Sequence, residues 1–387
     1  MNHREPRVAL VYDRVNSWGG AERVLLQLHQ LYPHAPLFTS VYDDHAAPWA
    51  KDWDIRASWL QKIPWLRRRH QYVGWLMPII FESFSFSEFD IVISVSSEAA
   101  KGIVTQPHQL HVCYLLTPTR YLWSHQREYL EQIPTLLRKS AQFVMHFLQK
   151  WDVMASSRPD YVIPISQRVK IRAEKYYGRF LEEPLYPAIS TLPLAKRPPE
   201  RVKKPYFFAW GRHVSYKKFD QIIRAAVEIK FPLIIAGEGP QTSYLKALTQ
   251  QIDPAGEYVT FVGMRSDSEI TWYLQNAQAA VIPQEEDFGL TIIEAVSQGC
   301  PVVVHSKSGA SELLRPEEDG ICITNNDSYS LQKAMEQVIS HPWNNLDIQQ
   351  QARQYAEVVW QKSFHNKIMG LWQQQQKSMK GMHEQHT

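Results

Sequence analysis

Short apolar runs alternate with longer amphipathic segments along this 387-residue chain. Such runs, rich in Val, Ile, Leu and aromatic residues, are typical of strands that are buried on both faces. The segments between them have helical spacing, so the pattern predicts parallel sheets covered by helices. The runs are 7–13, 36–43, 90–97, 111–118 and 161–166 in the first half, and 206–212, 231–239, 258–263, 279–284, 301–307 and 320–324 in the second.

The two sets of runs are separated by residues 186–204, a stretch rich in proline and basic residues that has no helical period. We interpret this stretch as a linker. The prediction is therefore an α/β chain of two doubly wound, Rossmann-like domains, 1–185 and 205–340, that face a central cleft. Residues 341–387 are predicted to form a helical tail that packs back toward the N-terminal domain. Ligands of such sheets bind beyond the carboxyl ends of the strands.

Composition narrows the class of protein. Apolar residues make up 44% and charged residues 21%, and the formal net charge of +3 is too small to indicate a nucleic-acid partner. The three cysteines, Cys113, Cys300 and Cys322, are widely spaced, which argues against structural zinc and for a reducing compartment. The first residues do not have the pattern of a signal peptide, and no apolar run approaches the ~20 residues that span a bilayer. We predict a cytoplasmic protein with possible peripheral contact to the inner face of the membrane.

The stretch EEDFGLTIIEAVSQG, residues 285–299, is a candidate ligand site. It predicts a loop after a strand, then a short helix that ends before Gly299. The first amides of that helix, at Gly289, Leu290 and Thr291, are suited to bind a phosphate. Glu294, one turn later, is placed to accept hydrogen bonds from a ribose diol, and Glu286 would lie near a group beyond the phosphates. The alternative is that both acidic residues only complement the helix dipole, which is worth about 0.3–1 kcal/mol.

This stretch resembles the hallmark of the family 4 glycosyltransferases, which have the two-domain GT-B fold. That hallmark is two glutamates separated by seven residues, with Phe-Gly-Leu between them, and it reads here Glu286 to Glu294 followed by AVSQGCPVVV. Further segments resemble the family in the same order. They are GRHVSYKKFDQIIRA (211–225), IIAGEGP (234–240), FVG (261–263), SGASELL (308–314) and DGICI (319–323).

The N-terminal half resembles a bacterial mannosyltransferase-like branch of that family. The matching segments are VALVYDRVNSWGGAERVLLQL (8–28), SWLQKIP (58–64), FDIVISVSSEAAKGIVT (89–105) and YLLTPTRYLW (114–123).

The resemblance implies a retaining, metal-independent hexosyltransferase of polysaccharide biosynthesis. It implies a nucleotide-sugar donor, GDP-mannose being favoured and a UDP-sugar being the alternative, with no further cofactor and no metal. The acceptor would be a glycan or a lipid-diphosphate-linked sugar. The implied catalytic residues are Arg212, Lys217 and Glu286, and the implied donor-binding residues are Gly19, Gly20, Gly237, Phe288, Gly289, Leu290, Thr291 and Glu294.

The chemistry of sugar transfer agrees with a cationic pair at Arg212 and Lys217. Cleavage of a sugar–phosphate bond builds negative charge on the leaving diphosphate, and fixed cations with a helix N-terminus can stabilise it in place of a metal. Arg212 follows a predicted strand, and Lys217 lies five residues later, so both can reach the same sheet edge. The alternative is a solvated basic loop.

Three residues are predicted on the acceptor side: Thr117 near the end of the run 111–118, and Arg120 and Tyr121 just after it. Relatives often have histidine where this chain has Leu116, which puts a histidine role at that position in doubt. His111 and His125 do not occupy the matching position, and we interpret them as core or surface residues.

Residues 63–84 combine Arg67, Arg68 and Arg69 with Trp65, Trp75, Leu76 and Met77. A basic and aromatic segment of this kind fits a membrane surface that carries a lipid-linked acceptor. The alternative is a solvated helix whose apolar side packs inward.

Three other functions are alternatives to a GT-B glycosyltransferase. A metal-dependent GT-A transferase needs Asp-x-Asp at a strand end, and Asp52-Trp53-Asp54 fits only the letters, because APWAK before it does not have a strand pattern. A nucleotide-sugar epimerase shares the two-domain fold but needs no acceptor. A catalytically silent homologue that only binds nucleotide sugar is the alternative that Leu116 favours.

Overall fold

A computed structural model describes residues 5–68, 70–189, 192–198 and 202–385. It divides into two compact units. The first unit contains the described residues up to Tyr186 together with those from Trp360 onward, and the second unit is Pro187–Val359.

The first unit contains a parallel sheet of six strands in the order β3-β2-β1-β4-β5-β6. Its central strands β4 and β5 are buried along their full length, as expected for runs of Val, Ile and Leu. The strands are β1 Val8–Tyr12, β2 Leu37–Thr39, β3 Ile55–Ala57, β4 Ile91–Ser96, β5 Leu110–Leu115 and β6 Tyr161–Pro164.

The second unit contains a parallel sheet with the equivalent order β12-β11-β10-β7-β8-β9. Each of its strands lies within one of the predicted apolar runs. The strands are β7 Phe207–Trp210, β8 Leu233–Ala236, β9 Val259–Gly263, β10 Ala279–Ile282, β11 Val302–His305 and β12 Gly320–Ile323.

Helices follow most strands, as the amphipathic segments predicted. In chain order they are α1 Gly20–Leu31, α2 Pro64–Arg68, α3 Met77–Glu82, α4 Gln126–Glu131, α5 Arg138–Ser156, α6 Gln167–Tyr177, α7 Phe219–Glu228, α8 Thr242–Ile252, α9 Asp267–Asn276, α10 Leu290–Ser297, α11 Ser328–Ser340, α12 Asn345–Ala352 and α13 Glu357–Gln385. None of the helices within the described part of the chain is long and apolar enough to cross a bilayer.

The chain passes between the two units twice, after Tyr186 and after Val359. The predicted tail, 341–387, is accordingly divided: residues up to Val359 belong to the second unit, and α13 from Trp360 onward belongs to the first. In the first unit Trp360, Phe364 and Ile368 are buried, and the Phe364 ring lies 5.6 Å from that of Tyr114.

Both sheets reverse their strand order at one point, between β1 and β4 in the first unit and between β7 and β10 in the second. The predicted α/β fold class with two doubly wound sheets is confirmed. Such reversals leave a crevice beyond the carboxyl ends of the two strands, where ligands of this fold class bind. The loops after β1, β4, β7 and β10 are therefore the places to look for functional residues.

Candidate functional site

The loops that follow β7 and β10 bring Lys217 and Glu286 together, although 69 residues separate them in the chain. Lys217 Nζ lies 3.3 Å from Glu286 Oε1, and both side chains are largely buried. The same carboxylate oxygen accepts a hydrogen bond of 3.0 Å from Gln284 Nε2. Two of the three predicted catalytic residues thus form one ion pair at the strand-order reversal.

Arg212, the third predicted catalytic residue, follows β7 after Gly211 and is exposed. Its guanidinium has no hydrogen-bond or ionic partner among the residues that the structure describes. Gly211 has φ +124°, and a Cβ there would lie 3.4 Å from Lys217 Nζ. The turn thus needs glycine both for its backbone conformation and for the closeness of the lysine.

The acidic loop after β10 is held in place by Ser308, which sequence analysis did not select. Ser308 Oγ donates to Gln284 O at 2.8 Å and accepts from Glu286 N at 3.2 Å. The next amide, Gly309 N, donates to Glu286 O at 3.1 Å. The signal in the sequence is the segment SGASELL, which resembles the family and contains Ser308.

Helix α10 begins at Leu290, after Gly289 in the left-handed region with φ +101°. Its first amides therefore have no acceptor within the helix. The Thr291 hydroxyl oxygen is buried and has no hydrogen-bond partner in the described part of the chain. Glu294 lies one turn further on and is only 5% exposed. The predicted donor-binding residues of this stretch thus combine open donors with a buried carboxylate.

The loops after β7 and β8 cross in direct backbone contact. A Cβ on Gly237 would lie 2.1 Å from Gly211 O, and one on Gly239 would lie 2.5 Å from His213 O. His213 fastens this crossing, because its N–H donates to Glu238 O at 3.1 Å and its Nδ1 lies 2.9 Å from Thr242 Oγ1. Burial lowers the pKa of His213, which favours the neutral ring.

In the first unit, Gly19 and Gly20 lie at the start of α1, after β1. Gly19 caps the helix, and a Cβ there would lie 3.2 Å from Glu22 Oε2. The buried Glu22 carboxylate accepts hydrogen bonds of 2.8 Å from Tyr12 and 3.2 Å from Ser17. The glycine therefore allows the loop to pass close over a carboxylate.

The reversal between β1 and β4 is occupied by the chain's own Asp13, which sequence analysis missed. Its two carboxylate oxygens accept hydrogen bonds from the backbone amides of residues 97, 98, 99 and 100, at 2.6, 2.9, 2.8 and 2.7 Å. The Ser97 hydroxyl adds a fifth, at 3.0 Å. Successive amides of this kind form an anion-binding concavity. At the strand-order reversal of the first unit, a carboxylate of the chain itself thus binds the backbone amides. At the reversal of the second unit, the first amides of α10 have no acceptor within their own helix.

The predicted acceptor-side residues follow β5. Thr117 is buried and accepts a hydrogen bond of 3.1 Å from Arg172, whereas Arg120 is exposed. Tyr121 lines a cavity of about 10 Å³ together with Glu98 and Asp152. A volume of that order suits one water molecule and no sugar.

The surroundings of His111 and His125 show that His111 is a core residue and that His125 lies outside the sheet. His111 lies within the first sheet, 2.8 Å from Ser94 Oγ, and burial lowers its pKa to about 3. His125 lies outside the sheet, where its Nδ1 is 2.7 Å from Ser124 Oγ. Leu116 is only 7% exposed, so an apolar side chain occupies that position of the loop.

Among the described side chains of segment 63–84, apolar residues occur at both buried and exposed positions. Met77 is buried, whereas Trp65, Trp75 and Ile79 are 54%, 55% and 58% exposed. Arg67 Nε donates to Gln61 O at 3.2 Å. The predicted Arg69 and the side chain of Arg68 lie outside the described residues.

Asp52-Trp53-Asp54 does not follow a strand. A 3-10 turn at Pro48–Ala50 precedes it, and Asp54 bonds to Arg56 at 3.2 Å on the edge strand β3.

Parts of this chain are similar to known glycosyltransferases. Residues 193–357 match the family model described as "Glycosyl transferases group 1". An uncharacterized glycosyltransferase of Methanocaldococcus jannaschii is 31% identical over 135 residues, which are 34% of this chain and 34% of that protein. The O-antigen chain mannosyltransferase C of Escherichia coli is 28% identical over 150 residues, 38% of this chain and 39% of that one.

The matched segments thus span less than two fifths of either relative. A solved structure, the Anabaena protein HepE in complex with UDP, aligns over 94% of this chain and 100% of its own with a TM-score of 0.69 and 18% identity. That likeness extends the shared fold to both units.

Proposed function

We propose that this chain is a retaining, metal-independent hexosyltransferase that moves mannose from a nucleotide-diphosphate donor to a glycan or lipid-linked acceptor in polysaccharide biosynthesis. The observation that carries the proposal is the Lys217–Glu286 ion pair near the start of α10, with Arg212 exposed on the loop that carries Lys217. The match of residues 193–357 to group 1 glycosyl transferases supports it, because that segment contains all of these residues.

In the proposed reaction the diphosphate leaves with growing negative charge. Arg212 and Lys217 supply two cations on one short loop, and the first amides of α10 supply oriented dipoles. Such fixed groups stabilise a transition state without having to reorganise. Glu286 pairs with Lys217, and we assign Glu286 to the hydroxyl groups of the donor sugar and Lys217 to the diphosphate.

The proposed ribose contact is Glu294. The Glu294 carboxylate is buried and therefore largely shielded from water. Hydrogen bonds from a ribose diol would stabilise it, each by roughly 1.5–3 kcal/mol. Thr291 is the second group, because its buried hydroxyl oxygen has no partner in the part of the chain that the structure describes. A ligand at this position would satisfy it.

The donor is proposed as GDP-mannose, on the similarity to a relative that is named a mannosyltransferase. A UDP-sugar is the alternative, which the fold likeness to a UDP-bound protein keeps open. The acceptor side is proposed at Thr117, Arg120 and Tyr121, with a lipid-diphosphate-linked sugar reached through membrane contact at 63–84. The exposed indoles of Trp65 and Trp75 support that contact.

The test begins with thermal shift of the full chain against UDP, GDP and ADP, because a bound ligand raises the melting temperature by mass action. Nucleotide sugars of the stabilising base are then incubated with and without acceptor. Acceptor-dependent release of nucleoside diphosphate is expected. Interconversion of the sugar would instead show an epimerase, and binding without turnover would show a silent homologue, which the buried Leu116 favours.

The assignment of residues is tested by kinetics. Arg212→Ala is expected to lower kcat about 10²-fold, because its contact strengthens in the transition state. Glu294→Gln is expected to raise the donor Kd. Arg353→Ala, an exposed arginine of the same unit, is the control. If both site variants behave like the control, the assignment is wrong.

A further inference from the structure

Helix α5 of the first unit is apolar on two opposite faces. One face, with Met145, Leu148 and Ala155, is buried. On the opposite face Phe143 is 77%, Phe147 63% and Met154 51% exposed. At about 100° per residue these three positions lie within ~40° of one another around the helix axis. A surface helix normally places polar side chains on its outer face, so this stripe is unusual.

The exposed stripe continues through the turn that leads into α5. Leu136 is 91% and Leu137 55% exposed. From Phe143 to Met154 the stripe alone extends over roughly 16 Å of helix length at 1.5 Å per residue. An exposed apolar surface of this extent in one element marks an interaction site.

The charges around the stripe have one sign. Lys139, His146 and Lys150 are exposed and lie on the same side of α5 as Phe143. The sequence contains no acidic residue between Glu131 and Asp152, and Asp152 is buried in an ion pair with Lys101. The charged side chains among the exposed residues of α5 are therefore all basic.

That charge pattern decides among the occupants that an apolar face can have. A second copy of this chain on a two-fold axis would bring the lysines of both copies together, and α5 has no exposed acidic residue to compensate them. A surface of anionic lipids provides hydrocarbon for the phenylalanines and negative charge for the lysines. Lysine stems can extend past apolar neighbours to the headgroups.

We propose that α5, with Leu136 and Leu137, lies in the interface of an anionic bilayer and binds the first unit to it. This surface differs from segment 63–84 and lies in the first unit, whereas Arg212, Lys217 and Glu294 lie in the second. The proposal goes beyond sugar transfer and does not depend on the identity of the donor.

The experiment uses the full chain and sedimentation with vesicles of phosphatidylglycerol and phosphatidylcholine, compared with phosphatidylcholine alone. Phe143→Ser combined with Phe147→Ser is expected to lower partitioning about 10- to 100-fold. Lys139→Ser combined with Lys150→Ser is expected to lower binding to the anionic vesicles about 10- to 30-fold at low salt, and to leave neutral vesicles unaffected. Leu346→Ser with Val358→Ser, two exposed apolar residues of the second unit, is the control.

A label on the helix reports depth directly. Phe147→Cys in a Cys322→Ser background removes the exposed native thiol and places one environment-sensitive dye on the stripe. Its emission is expected to shift to the blue with anionic vesicles, whereas a dye at Val358→Cys does not shift. A dye at position 147 that stays in water while the chain binds vesicles would overturn the proposal.

Two further outcomes also count against α5 as a membrane element. One is vesicle binding that is unchanged in both double variants. The other is a dimer in light scattering that the phenylalanine variant abolishes, with no vesicle binding, which would make the stripe a contact between copies. Donor thermal shift in the same variants separates this result from the proposed function, because the donor residues remain intact.

Discussion

Two glycines, Gly237 and Gly239, shape the candidate donor site through their backbone alone. At Gly237 and Gly239 the backbone of the loop after β8 touches the backbone of the loop that carries Arg212. The position of the guanidinium therefore depends on a contact between main chains. The close fit between the two loops at these glycines therefore helps to position the candidate site.

Gly239→Ala tests that fit. The added Cβ would lie 2.5 Å from His213 O, so the two loops have to separate. Overpacking of this kind costs about 1–3 kcal/mol, and we expect a lower melting temperature together with weaker nucleotide binding. Gly370→Ala in α13, where nothing lies within 4 Å of the added atom, is the matched control and is expected to be neutral or slightly stabilising. Equal melting temperatures for the two variants would show that the crossing is loose.

His111 is a second residue whose effect on stability follows mainly from burial, to which the charges of Arg158 and Arg179 add. Burial lowers its pKa from 6.5 to about 3, and its Nε2 lies 2.8 Å from Ser94 Oγ. Because the unfolded chain binds the proton first, the neutral imidazole contributes fully above pH 6.5, and stability falls as the pH decreases toward 3.

Between pH 7 and pH 5 this group should lower the free energy of unfolding by about 2 kcal/mol. His111→Gln removes the titrating group, so its unfolding free energy should depend less steeply on pH over the same interval. Urea unfolding at several pH values measures both slopes. Parallel slopes for the two proteins would mean that other groups cause the dependence.

Among residues, sequence patterns predicted Lys217 and Glu286, and the structure brings these two together. Ser308 and Asp13 were not predicted. Both act by binding backbone groups that are distant in the chain, and a serine or aspartate after a strand has the same appearance whether or not such partners exist. Only the fold supplies the amides of residues 97–100 to Asp13.

At the scale of elements, eleven of the twelve strands lie in or next to runs that the apolar pattern predicted. The strand that was missed is β3, a three-residue edge strand with a charged and exposed Arg56 at its centre. Edge strands are held by pairing on one side and need no continuous apolar run, so periodicity does not detect them. The exposed face of α5 was missed for a related reason, since an apolar residue in a helix does not show which way it faces.

The turn at Ala100–Gly102, helix α5 and the loop after β5 are joined by one buried ion pair. Lys101 Nζ lies 2.6 Å from Asp152 Oδ1, with side chains only 2% and 1% exposed. Asp152 also accepts hydrogen bonds of 2.9 Å from Thr119 and 2.8 Å from Trp123. This carboxylate fixes the relative position of three elements.

Asp152→Ala is expected to destabilise the first unit by about 3–5 kcal/mol, because a buried ammonium remains without its partner. Lys101→Met combined with Asp152→Leu removes both charges and should cost less than the single change. A double-mutant cycle by urea unfolding measures the difference. If the costs of the two single changes simply add in the double variant, the pair contributes no coupling.

For the whole molecule, the sequence predicted two α/β domains, and the structure contains two compact units with the same strand order. The sequence did not predict where the chain passes back from the second unit to the first. Helical spacing in residues 341–387 predicts a helix, but the point at which the chain leaves one unit depends on contacts. The structure places that point between Val359 and Trp360.

Removal of the residues after Val359 should therefore damage the first unit and spare the second. Four large side chains of α13, at positions 360, 364, 368 and 371, are at most 6% exposed, and each buried side chain contributes about 1.5–3 kcal/mol. That sum is comparable to the stability of an entire domain. Calorimetry of the truncated chain should retain one transition, that of the second unit. Two intact transitions would show that α13 is dispensable.

Because the chain passes between the two units twice, the two units complete their folding at different times during synthesis. Tyr186 and Trp360 are 174 positions apart, which corresponds to roughly 10–35 s of elongation. The second unit is contiguous and can fold as soon as it emerges, whereas the first stays without its last helix throughout that interval. Nascent chains thus carry an unfinished apolar surface beside Tyr114, and general chaperones that recognise such surfaces would encounter this protein early and from its N-terminal side.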